Sequence, residues 1–144
     1  FSKNTDLLLY LAARSENIDK IIKKNYRKKI ILIDRFSDST IAYQHYGMSV
    51  NLKLINFINN FLLKNLKINY TFLNLVNEKN MKLRLAKRNN LNRYDRFKAL
   101  FYKKVQFGFV KIANKNKNKY LKINSNLDIS LNKEIIINKV KQLI

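Results

Sequence analysis

Residues 30–33 read Ile-Ile-Leu-Ile and stop abruptly at Asp34-Arg35. A run of aliphatics dominated by β-branched residues has no polar side to turn toward water. The pattern predicts a strand buried on both faces, as the strands of a parallel sheet are. A parallel strand reaches its neighbour only through a long crossover, usually a helix. The run therefore restricts the chain to an alternation of helices and strands. Charged residues at the carboxyl end of such a strand are informative, because ligands of open α/β sheets bind there.

The flanking sequence supplies that alternation. Asp6 to Lys24 reads as an amphipathic helix, with Leu7, Leu8, Leu11, Ile18, Ile21 and Ile22 at three- and four-residue spacing and Thr5 or Asp6 as its cap. Ser37 or Asp38 can cap a second helix running to about Tyr46, with Gly47 as its stop. Asn51 to Leu66, Glu78 to Arg88, Arg96 to Ala113 and Leu131 to Ile144 read as further helices. Tyr70 to Val76 and Tyr120 to Ile123 read as further strands. Asn89-Asn90-Leu91-Asn92 is a polar break, and Asn114 to Lys119 a solvated turn. The order predicts a single α/β domain over residues 1–144 with a parallel sheet.

Composition narrows the chemistry. Among 144 residues there is no Cys, so disulfides and thiolate catalysis are excluded, and one His, His45, so a multi-His metal site is excluded too. No apolar run is long enough to cross a bilayer and no signal peptide is evident, so the sequence predicts an intracellular soluble domain. The net charge is +21, from 30 Lys and Arg against 9 Asp and Glu. Such an excess makes polyanions natural partners, although Lys, Asn and Ile share A/T-rich codons and coding bias supplies part of it. The chain's two glycines, Gly47 and Gly108, cannot form a Gly-rich phosphate loop.

The densest motif is Asp34-Arg35-Phe36-Ser37-Asp38-Ser39-Thr40-Ile41-Ala42-Tyr43-Gln44. Upstream stands Leu8-Leu9-Tyr10-Leu11-Ala12-Ala13-Arg14. Downstream stand Arg84, Arg88 and Asn92-Arg93-Tyr94-Asp95. Together, in this order and at these separations, they resemble the signatures of the thymidylate kinase (dTMP kinase) family over essentially the whole chain. The resemblance implies the three-layer P-loop nucleoside monophosphate kinase fold. It implies phosphoryl transfer from ATP to dTMP, giving dTDP for dTTP biosynthesis, with Mg²⁺ required, a cytoplasmic location and a homodimer.

The roles it implies are physically sensible. Tyr10 and Arg14 are four apart and share a helix face. The resemblance puts Tyr10 against the thymine ring and Arg14 on its exocyclic oxygen. Arg35 would take the dTMP phosphate in a bidentate fork. Asp34 would act near the Mg²⁺, through water, since that ion is held by few carboxylates. Ser39 or Thr40 would reach the pyrimidine edge, Tyr43 would pack under the deoxyribose and exclude a 2′-hydroxyl, and Gln44 would support base or phosphate. Thr40, Tyr43 and Gln44 fall at i, i+3 and i+4. Arg88 and Arg93 would belong to a lid at about residues 88–95 that closes over the phosphates. Arg84 reads as a helix-surface residue, and His45 as a bystander.

The family's phosphate loop and first strand have no counterpart in these residues. The resemblance places that strand between Ile30–Ile33 and Tyr70–Val76, so its lack predicts unpaired edges and a fragment inactive by itself. Two alternatives remain: a basic nucleic-acid-binding module, or a related P-loop kinase with another acceptor. Nucleic acid is disfavoured as a partner because the aromatics follow core stripes rather than interleaving with Lys on one face.

Overall fold

The computed structural model describes residues 2–89, 94 and 97–144. Helix α1 (Lys3–Asn17) runs on through a π-helical stretch, Ile18–Ile22, into the short α2 (Lys23–Asn25). Its cap is Ser2, whose hydroxyl accepts from the Thr5 amide, and not Thr5 or Asp6 as the sequence predicts. The earlier start puts Asp6 inside the helix, where it is buried. Helix α3 (Ser37–Thr40) likewise continues into a π-helical stretch, Ile41–Gly47.

Helix α4 (Leu52–Leu63) is capped by Asn51, whose side chain accepts from the amides of Lys53 and Leu54. Strand β1 (Thr71–Leu75) leads through Asn77, which caps helix α5 (Glu78–Ala86). Helix α6 (Ala99–Lys115), strand β2 (Tyr120–Asn124) and helix α7 (Ile129–Leu143) complete the order. Asp128 caps α7, two residues ahead of the predicted start, because its carboxylate accepts from the Ser130 amide.

β1 and β2 pair in parallel, with Thr71 opposite Tyr120 and Leu75 opposite Asn124. The crossover between them carries α5 and α6, as a parallel pair requires. The predicted α/β class with a parallel sheet is therefore observed. The predicted strand at Ile30–Ile33 is not. Among the described residues the sheet has two strands, and no backbone hydrogen bond ties 30–33 to either. Ile30 is 68% exposed and Leu32 87%. A strand needs a neighbour for its N–H and C=O groups, and among the described residues no strand pairs with this run.

Two apolar clusters meet along the helix 37–47. One joins Leu7 and Leu11 of α1 to Val50 and Ile55, with Ile58 and Leu62 of α4 packed against it. The other joins Ala42 and Tyr43 to Phe101 and Val105 of α6. The second depends on both glycines. A Cβ at Gly47 would stand 2.6 Å from the Phe101 ring, and one at Gly108 would stand 2.5 Å from the Tyr46 ring. The helix ends at Gly47 as predicted, but without a left-handed turn there: Gly47 serves close helix packing. The left-handed turn is taken by Ser49 at φ 59°. The amides of Ser49 and Val50 then close back onto the His45 and Gln44 carbonyls, both at 2.8 Å. Among the described residues, no helix is long and apolar enough to cross a membrane.

Candidate functional site

The turn out of the 30–33 run carries the first site residues. Arg35 holds φ at 61°, a left-handed backbone that costs an ordinary side chain about 1–2 kcal/mol. That turn lifts the Arg35 guanidinium over the Tyr43 ring, 5.0 Å from its centroid. Asp34 and Arg35 are both exposed, so this corner presents a cation and a carboxylate to solvent. Ser39, in the first turn that follows, donates its amide to the Phe36 carbonyl.

Arg14 reaches the same corner from α1. Its Nη1 donates to Asn59 Oδ1 at 2.9 Å, and its Nη2 donates to Thr40 Oγ1 at 2.6 Å and to the Phe36 carbonyl at 3.0 Å. The guanidinium also lies over the Phe36 ring at 5.5 Å. Burial pulls its pKa below the ordinary Arg value, and nearby Asp38 works against that shift. Asp38 accepts a short hydrogen bond from the Tyr120 hydroxyl. Burial raises the Asp38 pKa, with the Tyr120 bond and Arg14 opposing. Burial and the Asp38 carboxylate together push the Tyr120 phenol upward. Tyr120 of β2 thus anchors the start of α3.

A second knot stands about two helical turns toward the start of α1. Buried Asp6 accepts from Tyr94 Oη at 2.6 Å and from Gln44 Nε2 at 3.1 Å, and Gln44 Nε2 lies 3.0 Å from Tyr94 Oη. Tyr102 of α6 holds the same segment by donating to the Tyr94 carbonyl at 2.6 Å. Burial, first, and the Asp6 bond raise the Tyr94 phenol well above its ordinary range. The Tyr94 ring stands 6.2 Å from Tyr10 and 5.0 Å, edge-on, from Tyr43.

These contacts divide the predicted set. Arg14, Thr40, Arg35 and Tyr43 come together around α3 and its π-helical continuation, and Tyr10 joins them through Tyr94. Of the three residues expected on one face, Thr40 and Gln44 both turn toward α1, onto Arg14 and Asp6, while Tyr43 packs on Phe101 of α6. Gln44 is thus a wall residue beneath the site.

Arg88 is exposed beyond the end of α5, and its amide donates to the Leu85 carbonyl. Arg93, and with it most of the predicted lid, lies outside the described residues. Arg84 does more than cover a surface: its Nη2 donates to the Ser125 carbonyl at 2.6 Å and ties α5 to the turn after β2. His45 Nδ1 lies 2.9 Å from the Val50 carbonyl, a structural contact.

Three side chains of the site are missed by the motif reading. Asp6 stands four residues before Tyr10 and eight before Arg14, on the same helical line, which is a usable signal. Asn59 interrupts the inward apolar stripe Ile55, Ile58, Leu62, which is another. Asp38 leaves no such trace, since its partner Tyr120 is 82 residues away.

The helices and parallel strand pair, with cations and aromatics gathered after the 30–33 run, define an α/β protein with a candidate nucleotide-handling face. The comparisons are specific. The family described as Thymidylate kinase matches residues 1–136. A thymidylate kinase from Sulfurihydrogenibium sp. (strain YO3AOP1) is 33% identical over 138 residues, 95% of this chain and 67% of that protein. One from Geotalea daltonii is 34% identical over 134 residues, 88% of this chain and 63% of that protein. The crystal structure of thymidylate kinase from Ehrlichia chaffeensis superposes with a TM-score of 0.72 at 30% identity, covering 100% of this chain and 68% of that one. The chain belongs to the thymidylate kinase family. It spans about two-thirds of the length of these relatives.

Proposed function

We propose that this chain carries the acceptor-nucleotide side of a thymidylate kinase: it binds dTMP for phosphoryl transfer from ATP to give dTDP. The observation that carries the reading is the strained turn at Arg35, which brings an exposed guanidinium over Tyr43 beside the Arg14–Thr40 pair. An exposed fork of this kind suits a phosphate. Tyr10, half exposed, offers aromatic surface to a base, with Thr40 and Ser39 at the pyrimidine edge, and the buried Tyr43 supports Arg35 beneath the sugar. Arg88 and Arg93 belong to the closing segment in this reading. Catalysis is then a matter of positioning and charge neutralisation.

Mg²⁺ fits one carboxylate of the site. Asp34 would hold it through water, and the ion would supply charge neutralisation for the transferred phosphate. Among the described residues no three His, Cys, Asp or Glu side chains converge, which suits an ion that keeps most of its waters. The ATP phosphates are a different case. Both glycines are packed against aromatic rings, so neither is available to cradle a phosphate. Residues 1–144 by themselves should therefore give only background ADP release. A homodimer is part of the same reading, supported by Phe57 and Phe61 standing exposed together on α4. A cytoplasmic location is also part of it.

Calorimetric titration of dTMP into this chain tests the proposal. Arg35→Ala should weaken binding by about 2 kcal/mol, the cost of a charged hydrogen-bonding partner. Unchanged affinity would remove Arg35 from the phosphate site.

A further inference from the structure

Asn59 is out of place by the ordinary rules of burial. It sits on the inward stripe of α4, between Ile55 and Leu62, and is 5% exposed. Its Oδ1 accepts from Arg14, while its Nδ2 is buried with no hydrogen-bond partner. The amide cannot be turned over to relieve this, because Arg14 has only donors and needs the oxygen. A leucine would continue the apolar stripe and remove that unpaired donor, but it would leave Arg14 Nη1 without its acceptor. The side chain therefore keeps one unpaired donor buried, and its one engaged atom is the acceptor facing Arg14.

That acceptor completes a frame. Arg14 Nη2 is held by Thr40 Oγ1 and the Phe36 carbonyl, both from the segment 36–40. These two bonds come from one side and leave the planar fork free to tilt about Nη2. Asn59 Oδ1 takes Nη1 from a second element, α4, and fixes the plane. The remaining N–H groups of the guanidinium then keep one direction.

We propose that Asn59 is a positioning residue: it orients the Arg14 guanidinium, and through it the choice of pyrimidine base. The proposal rests on the reading of Arg14 as the residue that meets the base. A donor aimed at the C4 substituent accepts the carbonyl of thymine and repels the amino group of cytosine.

The test measures binding of dTMP and dCMP to the 144-residue chain by calorimetry, for the wild type, Asn59→Leu, Asn59→Ala and Asn59→Asp. The wild type should prefer dTMP. Asn59→Leu and Asn59→Ala should lose that preference by about tenfold, as expected for one charged hydrogen bond. Asn59→Asp keeps an acceptor toward Arg14 and should retain it. Thermal melts separate this from simple damage: Asn59→Leu removes an unpaired buried donor as well as the Arg14 acceptor, so its melting temperature should stay close to that of the wild type. Should Asn59→Leu fail to fold, Asn59→Ala decides. Full preference in the variants lacking the acceptor, or its loss in Asn59→Asp, overturns the role of Asn59 and leaves the Arg14 reading standing. A wild type that binds both nucleotides equally, or neither, overturns the Arg14 reading and this proposal with it.

Discussion

Two stretches of this chain are equally apolar and end differently. Leu7 and Leu11 of α1 are buried against Val50 and Ile55, while the run Ile30–Ile33 lies largely in solvent. Hydrophobicity alone does not separate them. A helix satisfies its own backbone groups within four residues, so α1 can form and then bury its apolar stripe against any suitable face. A strand has no such independence: its N–H and C=O groups need another strand alongside. β1 and β2 have each other, in parallel register, and 30–33 has neither of them. The helices 3–25, 37–47, α4 and α6 therefore hold one side of the molecule together, while among the described residues the strand side holds one pair.

The contrast is sharpest in a matched pair of substitutions. Leu7 is 1% exposed, so Leu7→Ala should cost about 3 kcal/mol through lost transfer energy and a residual cavity. Leu32→Ala should stay within about 0.5 kcal/mol, as exposed positions do. Chemical denaturation measures both. A large loss at Leu32 would mean that the run is paired in solution, and the contrast between the two regions would collapse.

A smaller effect is expected at the helix seam. Gly108→Ala would push a Cβ into the Tyr46 ring, and the neighbours on that side belong to the buried cluster of Ala42 and Phe101. Overpacking of this kind costs about 1–3 kcal/mol, offset in part by the better helix propensity of Ala. A melting temperature that rose instead would show that the 37–47 helix and α6 do not approach as closely as described.

The smallest effect concerns the link between the two regions. Glu78, at the start of α5 after β1, pairs with Lys82 at 2.9 Å and with Lys103 of α6 at 2.8 Å. Hydrogen bonds from Lys103 and then Lys82 lower its pKa to about 2. A carboxylate whose folded pKa is depressed adds stability above the ordinary carboxylate range and loses it as pH falls toward 2. Glu78→Gln should therefore lower the melting temperature slightly at pH 7 and low salt. The difference should vanish in high salt and below pH 2. A salt-independent loss would mean that Glu78 contributes packing rather than charge.

Much of this was legible from local pattern. The helices and the strands at Tyr70–Val76 and Tyr120–Ile123 follow from periodicity and spacing, because those are local properties of the chain, and the motif residues Tyr10, Arg14, Arg35, Thr40 and Tyr43 follow from their resemblance to the thymidylate kinase signatures. The π-helical stretch at 41–47, which buries Ala42, Tyr43 and Gln44, was not legible, since its residues carry the same three- and four-residue spacing as an ordinary helix. Neither were the partners of the buried polar groups. Asp6 meets Tyr94 across 88 residues, Asp38 meets Tyr120 across 82, and Arg14 meets Asn59 across 45. Each is a polar group taken out of water, and its partner is whatever the packed helices bring within 3 Å. The fate of 30–33 belongs with these: the residues made a strand possible, and only the neighbours in space could make it one.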